Sequence, residues 1–108
     1  MPDQSSHVRI AIADDHQIFR DGLRRLLESE PGFEVVAEAN DGMDAIRLVQ
    51  DVRPDILLLD VAMPRMGGLD ALAALANQGP RVILLTAAIP PSDLLKAIQY
   101  GARGVVMK

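Results

Sequence analysis

The chain contains no cysteine, which excludes disulfides, thiolate metal sites and a cysteine nucleophile and is ordinary usage for a reducing compartment. It has no tryptophan, one tyrosine and two phenylalanines. The core must therefore be aliphatic, and the aromatic platforms on which single-stranded nucleic acid stacks are not available. There is no block of Lys and Arg either: 11 bases stand against 15 acids, for a net charge of -4. The electrostatic footprint of a phosphate-backbone binder is missing, so this stretch is not expected to hold DNA by itself. No apolar run reaches the length of a membrane span, and Met1-Pro2-Asp3-Gln4-Ser5-Ser6-His7 lacks the basic-then-apolar order of a signal peptide. The expectation is a soluble, cytoplasmic protein without membrane partners.

What remains is a chain of 108 residues, 49% apolar and 24% charged, enough for one core and too short for two. Residues 1–7 are expected to be a disordered or extended tail and 8–108 the folded unit. Val8 to Ala13 is a short apolar run stopped by Asp14, Asp15 and His16, which reads as a strand ending in a polar turn. From Phe19 the period changes. Phe19, Leu23 and Leu26 recur at helical spacing, Arg20, Arg24 and Glu28 share a second, solvated face, and Pro31-Gly32 ends the helix. Phe33, Val35 and Ala37 then alternate with Glu34, Val36 and Glu38, the pattern of an edge strand with one wetter side.

Asp41-Gly42 opens a second helix through Ala45, Leu48, Val49 and Val52, closed by Pro54, which also restricts Arg53. Ile56 to Leu59 followed by Asp60 reads as a third strand. A third helix carries Leu69, Leu72, Ala73 and Ala76 on one stripe up to Gly79-Pro80, and Val82 to Thr86 is a fourth strand. Pro90-Pro91 starts a fourth helix through Leu94, Ala97 and Ile98, with Gly101 placed for a left-handed cap, and Val105 to Met107 is a last strand before Lys108.

Strict alternation of strand and helix predicts an α/β fold, a doubly wound five-stranded parallel sheet built from right-handed crossovers. The largely apolar runs at 8–13 (broken only by Arg9), 56–59 and 82–86 belong in its centre and 33–38 and 105–107 at its edges, which the strand order 2-1-3-4-5 satisfies. With four helices, one sheet face is covered by the first helix alone. Either a helix beyond Lys108 or a partner is expected to cover the rest.

In such a sheet ligands bind at the carboxyl ends of the strands where the order reverses, between the first and third. Asp14 and Asp15 end the first strand, Asp60 the third, Thr86 the fourth, and Lys108 follows the fifth. Three converging carboxylates repel, which raises at least one pKa unless a cation neutralises them. Mg2+ suits hard oxygen ligands and a shared phosphate. His7 and His16, with no cysteine, make a weak transition-metal set, and both are expected to be solvated. Asp60 is then placed to act as nucleophile toward a phosphoryl group, with Mg2+, the Lys108 ammonium and the Thr86 hydroxyl supplying alignment and neutralisation. Each residue alone has a commoner explanation, an Asp-Asp turn, a solvated strand end, a β-prone threonine, an exposed lysine. Their coincidence at one predicted sheet edge carries the argument.

The motifs Ile12-Ala13-Asp14-Asp15-His16, Leu59-Asp60-Val61-Ala62-Met63-Pro64-Arg65-Met66-Gly67-Gly68, Leu85-Thr86-Ala87 and Gly101-Ala102-Arg103-Gly104-Val105-Val106-Met107-Lys108 together resemble a two-component response-regulator receiver domain. The likeness runs from Val8 onward, and the Asp-Asp-His opening is most similar to receivers of the NarL/LuxR type. The resemblance implies a flavodoxin-like fold in which Asp60 accepts phosphate from a sensor histidine kinase. It implies that Asp14 and Asp15 bind Mg2+ together with Asp60 and the Ala62 backbone carbonyl. Thr86 would contact the phosphoryl group and Lys108 would pair with Asp60. A homodimer on activation is implied, with DNA reached only through a C-terminal helix-turn-helix domain that this chain lacks.

Two departures from the family pattern stand out. Val105 occupies a position often held by Tyr or Phe, so an aromatic side chain swinging in behind Thr86 is not the switch, and the family's fifth helix is absent. The implied role is signalling rather than enzymatic, with at most self-catalysed phosphotransfer and dephosphorylation. A Mg2+-dependent phosphohydrolase is the enzyme-class alternative, disfavoured by Ala62 where a second acid commonly stands, and a module that never receives phosphate is the third.

Overall fold

The computed structural model describes residues 7–108. The expected tail lies outside the described residues except for His7, which is exposed. The strands are β1 (Val8–Ala13), β2 (Phe33–Ala39), β3 (Ile56–Asp60), β4 (Arg81–Thr86) and β5 (Gly104–Met107). They alternate with helices α1 (Gln17–Glu28), α2 (Gly42–Val52), α3 (Gly68–Ala74) and α4 (Pro91–Gln99). All pairings are parallel and the order is β2-β1-β3-β4-β5, as the alternation predicts. Among the described residues no helix is long and apolar enough to cross a membrane.

The pleat sorts the apolar strands into two cores. Ala11, Ala13, Leu57, Leu59, Val82 and Leu84 pack against α2, α3 and α4 through Ala45, Leu48, Leu72 and Ala97. Ile10, Ile12, Leu58 and Leu85 form the other core with Phe19, Leu23 and Leu27 of α1. Among the described residues this second face is covered by α1 alone, as expected, and α1 contributes no fully buried residue.

Helix phase departs from the sequence reading in three places. Leu26 is 67% exposed and Leu27 takes the inward position, because the sheet underlies a narrower stripe than the apolar residues of α1 offer. In α3 the buried residues are Gly68, Ala71, Leu72 and, just past the helix, Leu75, while Ala73 and Ala76 face solvent. Of α4 only Ala97 is buried, with Leu94, Leu95 and Ile98 largely exposed. The cap at its end is as predicted: Gly101 has φ 94°, and Gly101 and Ala102 donate to the carbonyls of Ile98 and Ala97, a Schellman closure.

The alternation read across β2 is broken by a bulge. Ile10 pairs with Val35 but Ala11 with Ala37, so Val36 is an extra residue and the strand changes phase. Val35 packs into the α1-side core and Ala37 into the opposite one, not onto one shared side. Glu38 is thereby carried to the α1 side.

Arg53 also departs from expectation. Instead of the extended conformation favoured before proline, it is left-handed with φ 53° and caps α2. Arg9 holds this end in place by donating from its guanidinium to the Arg53 and Val52 carbonyls at 2.7 and 2.9 Å, while its backbone N–H donates to Asp55 at 2.8 Å. Removing the guanidinium strands carbonyls at a helix C-terminus. Arg9→Ala is expected to destabilise the fold by about 1–2 kcal/mol, seen as a lower urea midpoint at unchanged m-value.

Candidate functional site

Parallel strands end together, and this edge gathers what the sequence places there. Asp14 follows β1 and is fully buried; Asp60 and Thr86 close β3 and β4 and are each 2% exposed. β5 pairs with β4 through Thr86 and Met107, and the Lys108 N–H donates to the Thr86 carbonyl at 2.8 Å. That last rung aims the lysine across the crevice. Its Nζ lies 2.9 Å from Asp14 Oδ2 and 3.3 Å from Asp60 Oδ2, and 4.5 Å from the centroid of the Phe19 ring.

Each acid is held from its own backbone. The His16 N–H donates to Asp14 Oδ1 at 2.8 Å, an Asx-type turn that leads β1 into α1. The Ala62 N–H donates to Asp60 Oδ1 at 3.3 Å. Asp14 Oδ2 receives no well-angled hydrogen bond and relies on the charge of Lys108, so a buried oxygen keeps coordination capacity to spare. Gly68 is required beneath this site. A Cβ there would stand 2.2 Å from the Asp60 carbonyl oxygen.

Burial pushes the Asp60 carboxyl above its ordinary value, and the neighbouring Asp14 charge pushes it further; the Ala62 N–H and Lys108 oppose them. For Lys108, burial alone works against the charged form, but Asp14 and Asp60 outweigh it and hold the ammonium above the usual lysine value. The repulsion foreseen among the acids is thus present and is felt by Asp60.

The site contains more than the sequence foresaw. His16 is exposed as expected, yet its Nδ1 lies 3.3 Å from both Asp14 Oδ1 and Asp15 Oδ1 and 3.2 Å from Lys108 Nζ. One donor atom from each of Asp14, Asp15, His16 and Asp60 falls within 4.8 Å of the others. Arg20 is not on a solvated face. It donates to the Asp14 carbonyl at 2.6 Å and to Glu38 at 2.8 Å, and Arg24 joins Glu38 at 3.2 Å. The bulge in β2 creates this clamp, and nothing in the period of α1 announces it. The Thr86 hydroxyl stays in its own turn, donating to the Ala88 carbonyl at 2.6 Å and accepting from the Ala88 N–H at 3.1 Å.

A doubly wound parallel sheet with acids at the ends of β1 and β3 and a lysine after β5 defines the class: an α/β domain whose chemistry sits at the switch point of its sheet. A family profile described as response regulator receiver domain matches residues 10–108, and the chain belongs to that family. Transcriptional regulatory protein DegU of Brevibacillus brevis is 49% identical over 59 residues, 55% of this chain and 25% of the relative. The nitrate/nitrite response regulator protein NarP of Escherichia coli is 46% identical over 63 residues, 58% of this chain and 29% of the relative. The match therefore spans between a quarter and a third of the length of these curated relatives. The signal receiver domain of the response regulator NarL from Mycobacterium tuberculosis superposes with a TM-score of 0.88 at 38% identity, covering 94% of this chain and 83% of that one. The NarL/LuxR-type resemblance read from the motifs is borne out.

Folded Asp60 binds its proton more tightly than an unfolded aspartate, whose pKa is near 3.8. Between that value and the raised one the folded state carries more protons, so stability falls as pH rises through the window and stays lower at neutral pH. In metal-free solution Asp60→Asn is expected to melt above the parent at neutral pH, the two midpoints converging as pH falls below 3.8. A variant melting lower at neutral pH would mean that the attraction of Lys108 outweighs burial and Asp14.

Proposed function

We propose that residues 8–108 form the phosphoacceptor receiver domain of a two-component response regulator and that Asp60 takes its phosphoryl group from a sensor histidine kinase. The observation that carries this reading is the setting of Asp60: a carboxylate 2% exposed, at the strand crossover, with a lysine ammonium 3.3 Å away. In the transfer a carboxylate oxygen of Asp60 bonds to phosphorus. The bond from phosphorus to the donor imidazole breaks, its electron pair returning to the ring nitrogen, and an acyl phosphate results.

Asp14, Asp15, Asp60 and the Ala62 carbonyl are the proposed ligands of Mg2+. The donor set fits a hard cation: clustered carboxylate oxygens, one of them buried and answered, among the described residues, by the Lys108 ammonium. The ion, when bound, supplies charge neutralisation at the phosphoryl oxygens. Lys108 neutralises the nucleophile and then a phosphoryl oxygen. Thr86 donates its hydroxyl to another, which requires it to leave Ala88 and moves the chain between β4 and α4. With Val105 half-buried in the core on the α2–α4 side, this movement reports phosphorylation without an aromatic switch. It acts at the exposed stripe Leu94, Leu95 and Ile98 of α4, where the activated form self-associates as a homodimer. Control of transcription then runs through a LuxR-type DNA-binding unit outside this chain, in the cytoplasm.

Incubation with acetyl phosphate and Mg2+ is expected to give an acid-stable, base-labile phosphoprotein, at a rate that falls by about 10²-fold or more on chelation with EDTA. Asp60→Asn is expected to abolish the label. Labelling that persists in that variant removes Asp60 from the role.

A further inference from the structure

We infer that Asp41 and Arg65 are positioning residues for the phosphoryl site: their ion pair holds the loop from Val61 to Gly67 in one shape and so fixes the Ala62 groups beside Asp60. The inference rests on the phosphoacceptor reading and concerns two residues that touch neither the proposed metal nor the phosphoryl group.

Asp41 is buried at the start of α2 and uses its two oxygens differently. Oδ1 accepts from the Asp44 N–H at 2.8 Å, which caps the helix. Oδ2 accepts from Arg65, through Nε at 3.0 Å and also through Nη2. These partners, the Asp44 N–H foremost and Arg65 next, hold the Asp41 carboxyl below its ordinary value. The helix cap therefore uses one oxygen and the loop contact the other.

The loop bears the marks of being held. Arg65 is a non-glycine residue with φ 63°, and the Met66 N–H donates to the Pro64 carbonyl at 2.6 Å, a tight three-residue turn centred on Arg65. Such a backbone persists only where its surroundings over-determine it. Three contacts do so. The Arg65 guanidinium grips Asp41, the Gly42 N–H donates to the Met66 carbonyl at 3.0 Å, and the Gly68 N–H donates to the Val61 carbonyl at 2.8 Å. The fit on α2 is close, since a Cβ on Gly42 would stand 2.4 Å from the Met66 oxygen. The clamped segment starts directly after Asp60 and includes Ala62, whose N–H reaches Asp60 Oδ1 at 3.3 Å. Releasing Arg65 lets the turn relax and lets Ala62 drift from the place where its carbonyl completes the proposed ligand set.

Because asparagine caps a helix as well as aspartate does, Asp41→Asn keeps the start of α2 and weakens only the hold on Arg65. Arg65→Asn removes the guanidinium while tolerating a left-handed backbone, and Arg65→Lys keeps the charge. In both asparagine variants the Mg2+ concentration giving half-maximal acetyl phosphate labelling is expected to rise about fivefold, with the plateau rate close to that of the parent. Amide hydrogen exchange is expected to quicken at Ala62, Met66 and Gly68, and Arg65→Lys to restore part of the Mg2+ affinity. A purely structural role would lower the thermal midpoint and leave the Mg2+ midpoint alone. Calorimetric titration with Mg2+ reads the same change without phosphorylation, so a parent that binds Mg2+ but does not label overturns the phosphoacceptor reading alone. Parental Mg2+ affinity and parental exchange in Arg65→Asn, whose side chain is mostly exposed and whose folding is therefore little at risk, overturn the inference.

Discussion

Asp14 and Asp60 lie almost entirely out of water at the ends of neighbouring strands, and the Lys108 ammonium stands between them. Two buried like charges without a partner are costly enough to deform or neutralise a site. Here a single cation, delivered by the last rung of the β4–β5 ladder, makes the arrangement tenable. The rest of the edge depends on that triangle. It fixes which way β5 must register against β4, because a slip of one residue turns Lys108 to the opposite face and leaves both acids unanswered. It also leaves Asp60 short of full neutralisation, because burial and the Asp14 charge outweigh Lys108 and the Ala62 N–H there.

Around that triangle the chain places fasteners, each joining one end of the site to an element outside the Asp14–Asp60–Lys108 cluster. Arg20 ties the Asp14 carbonyl to Glu38 on the edge strand. Asp41 and Arg65 tie the loop after Asp60 to the start of α2. Gly68 lets α3 begin against the Asp60 backbone, where any side chain would collide. The site is thus spread over four strand ends but supported by helices on both faces.

Much of this was legible in the chain itself. Strict alternation, the largely apolar runs and the turn residues between them were sufficient for strand order, because parallel crossovers leave few arrangements that bury three two-sided strands. The acids and the lysine were legible for the same reason: once strand order is known, strand ends are known. Side-chain partners were less so. Arg20 and Arg24 look solvated in a helical projection, and only the bulge at Val36, which a regular alternation of Glu and Val hides, turns Glu38 toward them. His16 follows a similar logic, since exposure and membership of the acid cluster are compatible only when the turn after β1 folds back over the site.

Sequence by itself determined the layers, the topology and the identity of the groups at the sheet's carboxyl edge, because hydrophobic period and strand direction are local properties that add up along the chain. Tertiary structure alone decided which stripe of each helix is buried, where β2 changes phase, that Thr86 is engaged with Ala88, and that Arg65 reaches Asp41. Those outcomes depend on residues far apart in sequence competing for one space or one charge, and no local period encodes the result.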